Sequence, residues 1–174
     1  MGKLMVRSLE TVLALALLVC AVPLRAADIA ANASRDAARL AGCMKAFDAA
    51  CANSMTYTKP LEEHGISRDQ LDQAVSGMYA HLKSAHAIYS RFDLHAPWPP
   101  LVTLGRRYIF IPYAAVVEGI GRKVAAKSFF IGVSEDNGSS WKFVDGQQLT
   151  KDGIGQVIPG YAGKLPEQQL GQIE

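Results

Sequence analysis

Residues His95 to Pro100 read HAPWPP, and no helix can run through them. Each proline lacks the N–H that a helix needs and biases the residue before it toward extended backbone. The segment divides the chain into two parts that must fold differently. The N-terminal part carries helical spacing, and the C-terminal part is dominated by long runs of strand-forming residues. An α+β fold is the direct expectation.

In the first part, SRDAARLAGCMKAFDAA offers Ser34 as an N-cap and an apolar stripe of Ala37, Leu40, Met44 and Phe47. A second short helix is expected over about 50–63. Ser67 is followed three residues later by Gln70, the pattern of a capping box. Leu71, Val75, Met78 and Leu82 then step along one face of a long helix. In the second part, RRYIFIPYAAVVEG and KVAAKSFFIGVSED read as long strands joined near Gly119 and Gly121. Pro112 cannot donate a ladder bond and predicts an edge position or a bulge. A third strand falls in SSWKFVDG, and a short helix is expected from Thr150 to Val157.

The N-terminus, MGKLMVRSLETVLALALLVCAVPLRAADIA, has the layout of a secretory signal peptide: a basic start, an apolar run and a small-residue exit at Ala26-Ala27. The run is about 12 residues, too short to span a bilayer as a helix. Val19 precedes Cys20 where a lipobox needs a small residue, which argues against lipidation. The expected division is a signal peptide over 1–26, a disordered segment over 27–33, one domain over 34–158 and a surface tail over 159–174. Cleavage after Ala26 or Ala27 yields a periplasmic or secreted protein with no stable membrane anchor.

Removing residues 1–26 from the 174 leaves 148, enough for one domain with a real core. The whole chain has 18 basic and 16 acidic residues, and the leader carries Lys3, Arg7 and Arg25 against Glu10. The remainder is balanced, with no basic cluster larger than Arg106-Arg107, so nucleic acid is not an expected partner. Cys43 and Cys51 remain in a chain bound for an oxidising compartment. On one unbroken helix they would lie about 12 Å apart along the axis, so a disulfide requires a break near Asp48-Ala49-Ala50. Two buried free thiols are the alternative.

The stretch VSEDNGSSWKF holds Ser134-x-Asp136-x-Gly138-x-x-Trp141, which resembles the Asp-box of sialidase propeller blades. A propeller needs several blades of about 40–50 residues, and one copy in a chain this short cannot supply them. Asp136 and Ser134 are acceptors for nearby N–H groups, while Asn137 and Gly138 tolerate positive φ. The stretch is therefore expected to be a structural hairpin turn, with Trp141 packing across it.

The order of helix, break, long helix, extended segment and long antiparallel strands resembles the NTF2-like superfamily. MKAFDAACANSMTYTKPLEEHGI and KSFFIGVSEDNGSSWKFVDG carry the likeness, over about residues 34–158. The hairpin also resembles segments of exported bacterial proteins with a SxDxGxxWxFxDG pattern. The resemblance implies a cone of N-terminal helices packed on a curved antiparallel sheet, with a concave pocket. Members of the superfamily include isomerases, dehydratases, ligand carriers and interaction modules, so fold alone does not choose among these.

An isomerase or dehydratase would need a carboxylate in an apolar cavity near a hydrogen-bond donor. Asp93 with Tyr108 or Tyr113 is the candidate pairing. His81 and His86 are five apart, the wrong spacing for two ligands on one helix face, and no metal or other cofactor is indicated. No nucleophile signature is present. The leading expectation is a non-catalytic module that binds a small apolar ligand or a partner protein. Tyr57, Tyr79, His86, Trp98 and Tyr113 are the candidate lining, apolar bodies with polar tips. A homodimer scaffold and an enzyme using Asp93 are the competing readings.

Overall fold

The computed structural model describes residues 26–119, 121–147 and 149–173. The signal-peptide expectation for 1–25 lies outside these described residues. Four N-terminal helices pack against a curved antiparallel sheet, the expected α+β arrangement, and the sheet does not close into a barrel.

Helix α1 spans Ala26–Lys45, starting well before Ser34. Residues 27–33 are thus helical rather than a disordered segment, because Ile29 and Ala33 extend the buried stripe of Ala37 and Leu40 by further turns. The alanines in that stripe let the helix lie close to the sheet. The helix ends where Phe47 takes a left-handed φ of 48°. Asp48 N–H reaches Cys43 C=O and Phe47 N–H reaches Met44 C=O, so the last carbonyls are satisfied. Glycine is usual at such a cap. Phenylalanine holds it because its ring is buried against Tyr79 and Tyr89.

Asp48 then caps α2, Ala49–Ser54, by accepting from Cys51 N–H at 3.0 Å. The break falls where the cysteines require it. Cys43 and Cys51 form a disulfide with their Cα atoms 5.6 Å apart. The helix expected over 50–63 is divided in two. Thr56 makes a parallel bridge to Phe143, and α3 occupies Lys59–Glu63 with Pro60 in its first turn. Helix α4, Arg68–Ser84, begins with the Ser67–Gln70 capping box. Of its expected stripe, Val75 and Leu82 pack on the core, whereas Met78 is exposed and Tyr79 is the buried residue instead.

The strands are β1 Ile88–Leu94, β2 Leu101–Thr103, β3 Arg106–Gly119, β4 Arg122–Ser134, β5 Lys142–Asp145 and, after helix α5 at Lys151–Val157, β6 Gln169–Ile173. β3 and β4 form a long central hairpin, Arg107 opposite Ser134 through Gly119 opposite Arg122. β1 and β2 lie end to end along the outer side of β3, and β5 and β6 likewise along β4. The expected surface tail over 159–174 therefore ends as a strand of the sheet.

Pro112 sits in the middle of central strand β3, not at an edge or bulge. Gly146 N–H bonds Phe129 C=O, so Phe129 directs its backbone groups toward β5. Its partner Pro112 is then at a non-hydrogen-bonded position facing the gap between β1 and β2. The missing N–H has no ladder acceptor there. The HAPWPP segment fills the gap through His95 N–H to Pro112 C=O and Trp98 N–H to Phe110 C=O, both 2.8 Å.

Strand alternation gives the hairpin two buried faces. Ile109, Ile111, Tyr113, Ala115 and Phe130 meet α1 and the disulfide region. Tyr108, Phe110, Phe129, Ile131 and Val133 meet Trp98, Tyr161 and the α5 residues Ile154 and Val157. Burial of each large apolar side chain contributes about 1.5–3 kcal/mol.

The turn between β4 and β5 is the expected clasp. Asp136 accepts from Ser134 Oγ (2.7 Å), Ser139 N–H (3.1 Å), Ser140 N–H (2.9 Å) and Ser140 Oγ (2.5 Å). Gly138 N–H donates to Ser134 Oγ at 2.8 Å, and Asn137 and Gly138 have φ of 64° and 96°. The turn also docks on α1: Asn32 donates to Gly138 C=O at 3.1 Å, and Trp141 N–H donates to Asp36 at 3.1 Å.

Candidate functional site

The parallel bridge holds the chain after α2 against β5 for one residue only. Phe143 N–H donates to Met55 C=O (2.8 Å) and Phe143 C=O accepts from Tyr57 N–H (2.9 Å). At Thr58 the chain turns into α3, where Pro60 presets the backbone. This divergence opens a cavity of about 410 Å³ between α3, β5 and α5. Pro60, Leu61, Ile66, Val144, Leu149 and Val157 give it an apolar wall, closed on one side by Tyr57. His64, Asp145 and Gln156 add polar groups. Size and lining match those of small-molecule pockets.

His64 Nδ1 lies 2.7 Å from Pro60 C=O. A carbonyl can only accept, so Nδ1 carries the proton and Nε2 is an acceptor in the neutral ring. Burial pushes the Tyr57 phenol up to about 12, countered in part by the Arg106 charge, so it stays protonated at any physiological pH. Tyr57 also borders a polar groove of about 360 Å³, where Glu135 meets Lys59 at 2.5 Å and Arg106 at 3.1 Å.

A second polar feature lies on the helix-facing side of the sheet. Tyr113 OH donates to both oxygens of Asp145, at 2.9 and 3.1 Å, and Gln147 N–H donates at 2.9 Å. Asp145 is exposed as a residue at the sheet edge, yet its carboxylate turns inward to Tyr113. Burial raises its pKa above the usual carboxylate range, opposed in part by the two donors. Burial also raises the Tyr113 and Tyr89 phenols, and pushes Tyr79 up to about 12. Phe92 stacks on Tyr113 with ring centres 5.1 Å apart, and Tyr113 lies 4.7 Å from Phe130. The cavity left beside these rings is about 70 Å³, room for a water or two rather than a substrate.

The five residues expected to line one pocket do not converge. Tyr57 walls the 410 Å³ cavity, while Tyr79 also borders a separate, more open cleft of about 460 Å³ between the end of α1 and α4. Tyr79 and Tyr113 belong to the helix-facing core, whereas Trp98 packs on Phe110 on the opposite face. His86 is exposed in the turn after α4, with a φ of 50°. Asp93, the candidate base, lies in β1 with its side chain 42% exposed and pairs with Arg91. Tyr108 and Tyr113 face opposite sides of β3, because the register through Pro112 is unbroken.

Most of the cavity wall went unread in the sequence. Ile154, Val157 and the C-cap residue Ile158 do carry helical spacing that marks an inward face on α5. Asp145 lies in FVDG, which reads as strand followed by turn and hides the inward carboxylate. Among the described residues, no cluster of three metal-ligating side chains occurs and no helix is long and apolar enough to cross a membrane. Compared with known proteins, the chain matches no family model, no curated protein and no solved structure.

Proposed function

We propose that this protein is an exported, non-catalytic binding module of the NTF2-like kind that holds one small, mainly apolar molecule. The site is the cavity between α3, β5 and α5 rather than the concave interior of the sheet. The cavity carries this reading: about 410 Å³, walled by six apolar residues and the Tyr57 ring. The sheet interior is already occupied by Phe47, Tyr79, Phe92, Tyr113, Phe130 and Phe143. The disulfide is compatible with an oxidising compartment and so supports export.

Two observations weigh against the enzyme reading. Asp93 is a surface carboxylate paired with Arg91. The Asp145 carboxylate is held by Tyr113 OH and Gln147 N–H on the helix-facing side, where the cavity beside Tyr113 is only about 70 Å³. Native mass spectrometry of the protein, purified from the periplasm of a bacterial host, tests the proposal. A bound small molecule near one-to-one stoichiometry is expected, and Leu61→Trp, which fills the cavity, should abolish it. Equal ligand retention by the variant would exclude this cavity as the site.

A further inference from the structure

The strand edge that forms one wall of the cavity narrows the ligand class; this step rests on the cavity being the binding site. Phe143 points its N–H and C=O away from β4, and both are taken by Met55 and Tyr57. In an antiparallel pair, alternate residues direct their backbone groups to the same side. Gly146 N–H bonds Phe129 C=O, which makes Ile131 and Val144 the next pair bonded across the ladder. Asp145, two residues beyond Phe143, must therefore direct its N–H and C=O outward as Phe143 does. By then the neighbouring chain has left for α3. Among the described residues, no hydrogen bond engages either main-chain group of Asp145, and Asp145 lines the cavity.

One extended residue thus offers a donor and an acceptor side by side at the wall of an apolar space. We propose that the ligand is a neutral amide, a primary carboxamide or a lactam, carried on an apolar body. Its carbonyl accepts from Asp145 N–H and its N–H donates to Asp145 C=O, while the body packs on Leu61, Val144, Leu149 and Val157. A ketone or ester offers only the acceptor, and an ionised carboxylate has no proton for the Asp145 carbonyl. Leaving that carbonyl covered and unbonded penalises both. The pair of backbone groups therefore selects for the amide by chemistry rather than by size.

The test uses two probes of nearly the same shape, cyclohexanecarboxamide and cyclohexyl methyl ketone, titrated into the folded mature protein. Binding is monitored by amide and methyl NMR spectra. The carboxamide should bind roughly tenfold more tightly, the worth of one additional hydrogen bond. It should shift the Asp145 N–H signal and slow its hydrogen exchange. Leu61→Trp should abolish binding of both probes. If the two bind equally and move the Leu61 and Val144 methyls, the amide assignment falls while the cavity remains a binding site. If neither probe moves those methyls in the wild-type protein, the cavity reading falls with it.

Discussion

Asp136 organises the turn between β4 and β5, and replacing it by alanine should destabilise the whole domain. Its carboxylate accepts four hydrogen bonds, from Ser134, Ser139 and twice from Ser140. The Ser139 and Ser140 donors lie at the surface and regain water when the acceptor is lost, so their three bonds are worth the lower end of the usual range, about 0.5 kcal/mol each. Buried Ser134 is instead left unpaired, at a cost of about 1.5 kcal/mol. Together they give about 3 kcal/mol for Asp136→Ala. For a domain of this size that is a fall in Tm of roughly 6–12 °C. The loss should propagate because the turn docks Trp141 and Gly138 on α1. Urea unfolding monitored by tryptophan fluorescence measures it directly, since Trp141 is buried. Burial alone would raise the Asp136 pKa, but the serine hydrogen bonds outweigh it and hold the group at about 2. A depressed carboxylate stabilises the fold above its unfolded value and loses that contribution as the group protonates. Wild-type stability should thus fall between about pH 4 and pH 2 in a component that Asp136→Ala lacks. A loss under about 1 kcal/mol, or an unchanged acid limb, would refute the assignment of stability to this clasp.

Four further perturbations have signed outcomes. Asp145→Asn keeps an acceptor for Tyr113 and removes a carboxylate whose pKa is raised by burial. The contribution of a raised group is fully present below its unfolded pKa and lost as pH rises through the folded value, so the variant should gain stability over wild type from pH 4 to pH 7 in urea titrations. Leu104 is exposed with a φ of 47°, and Leu104→Asn should raise stability by about 0.5–1 kcal/mol in thermal unfolding. Replacing both Cys43 and Cys51 by serine should cost about 2.5 kcal/mol, the loop-closure entropy of so short a ring, in non-reducing denaturation. A Cβ on Gly132 would meet Ile109 at 2.8 Å and Trp141 at 3.0 Å, so Gly132→Ala should cost about 1–3 kcal/mol by the same assay.

The elements legible in the sequence are those set by local chemistry. The Ser67–Gln70 capping box, the β3 limits at Arg106 and Gly119 and the Asp136 turn all arise from residues within a few positions of each other. The disulfide was legible as a condition, since a bridge demanded a helix break that Phe47 and Asp48 supply. The proposed site was not legible, because its wall joins residues 56–66 to the distant stretch 144–157. Aromatic residues suggested a pocket, but alternation along β3 sends Tyr108 and Tyr113 to opposite faces, and of the five expected lining residues only Tyr57 borders the cavity between α3, β5 and α5. Asp93 stood out through its apolar neighbours. A strand residue beside Arg91 can be surrounded by apolar sequence and still face solvent.

Pro112 also bears on how the chain avoids folding wrongly. A slip of one residue in which β3 turns over against β4 would exchange the two faces of β3 and turn the proline nitrogen toward a carbonyl of β4. It has no proton to offer, so that carbonyl would be stranded inside the sheet. The proline thus rejects the nearest mispairing of a hairpin whose two faces are both apolar enough to tolerate the exchange. It does so from the one stretch of β3 where its own defect goes unchallenged by an outer strand.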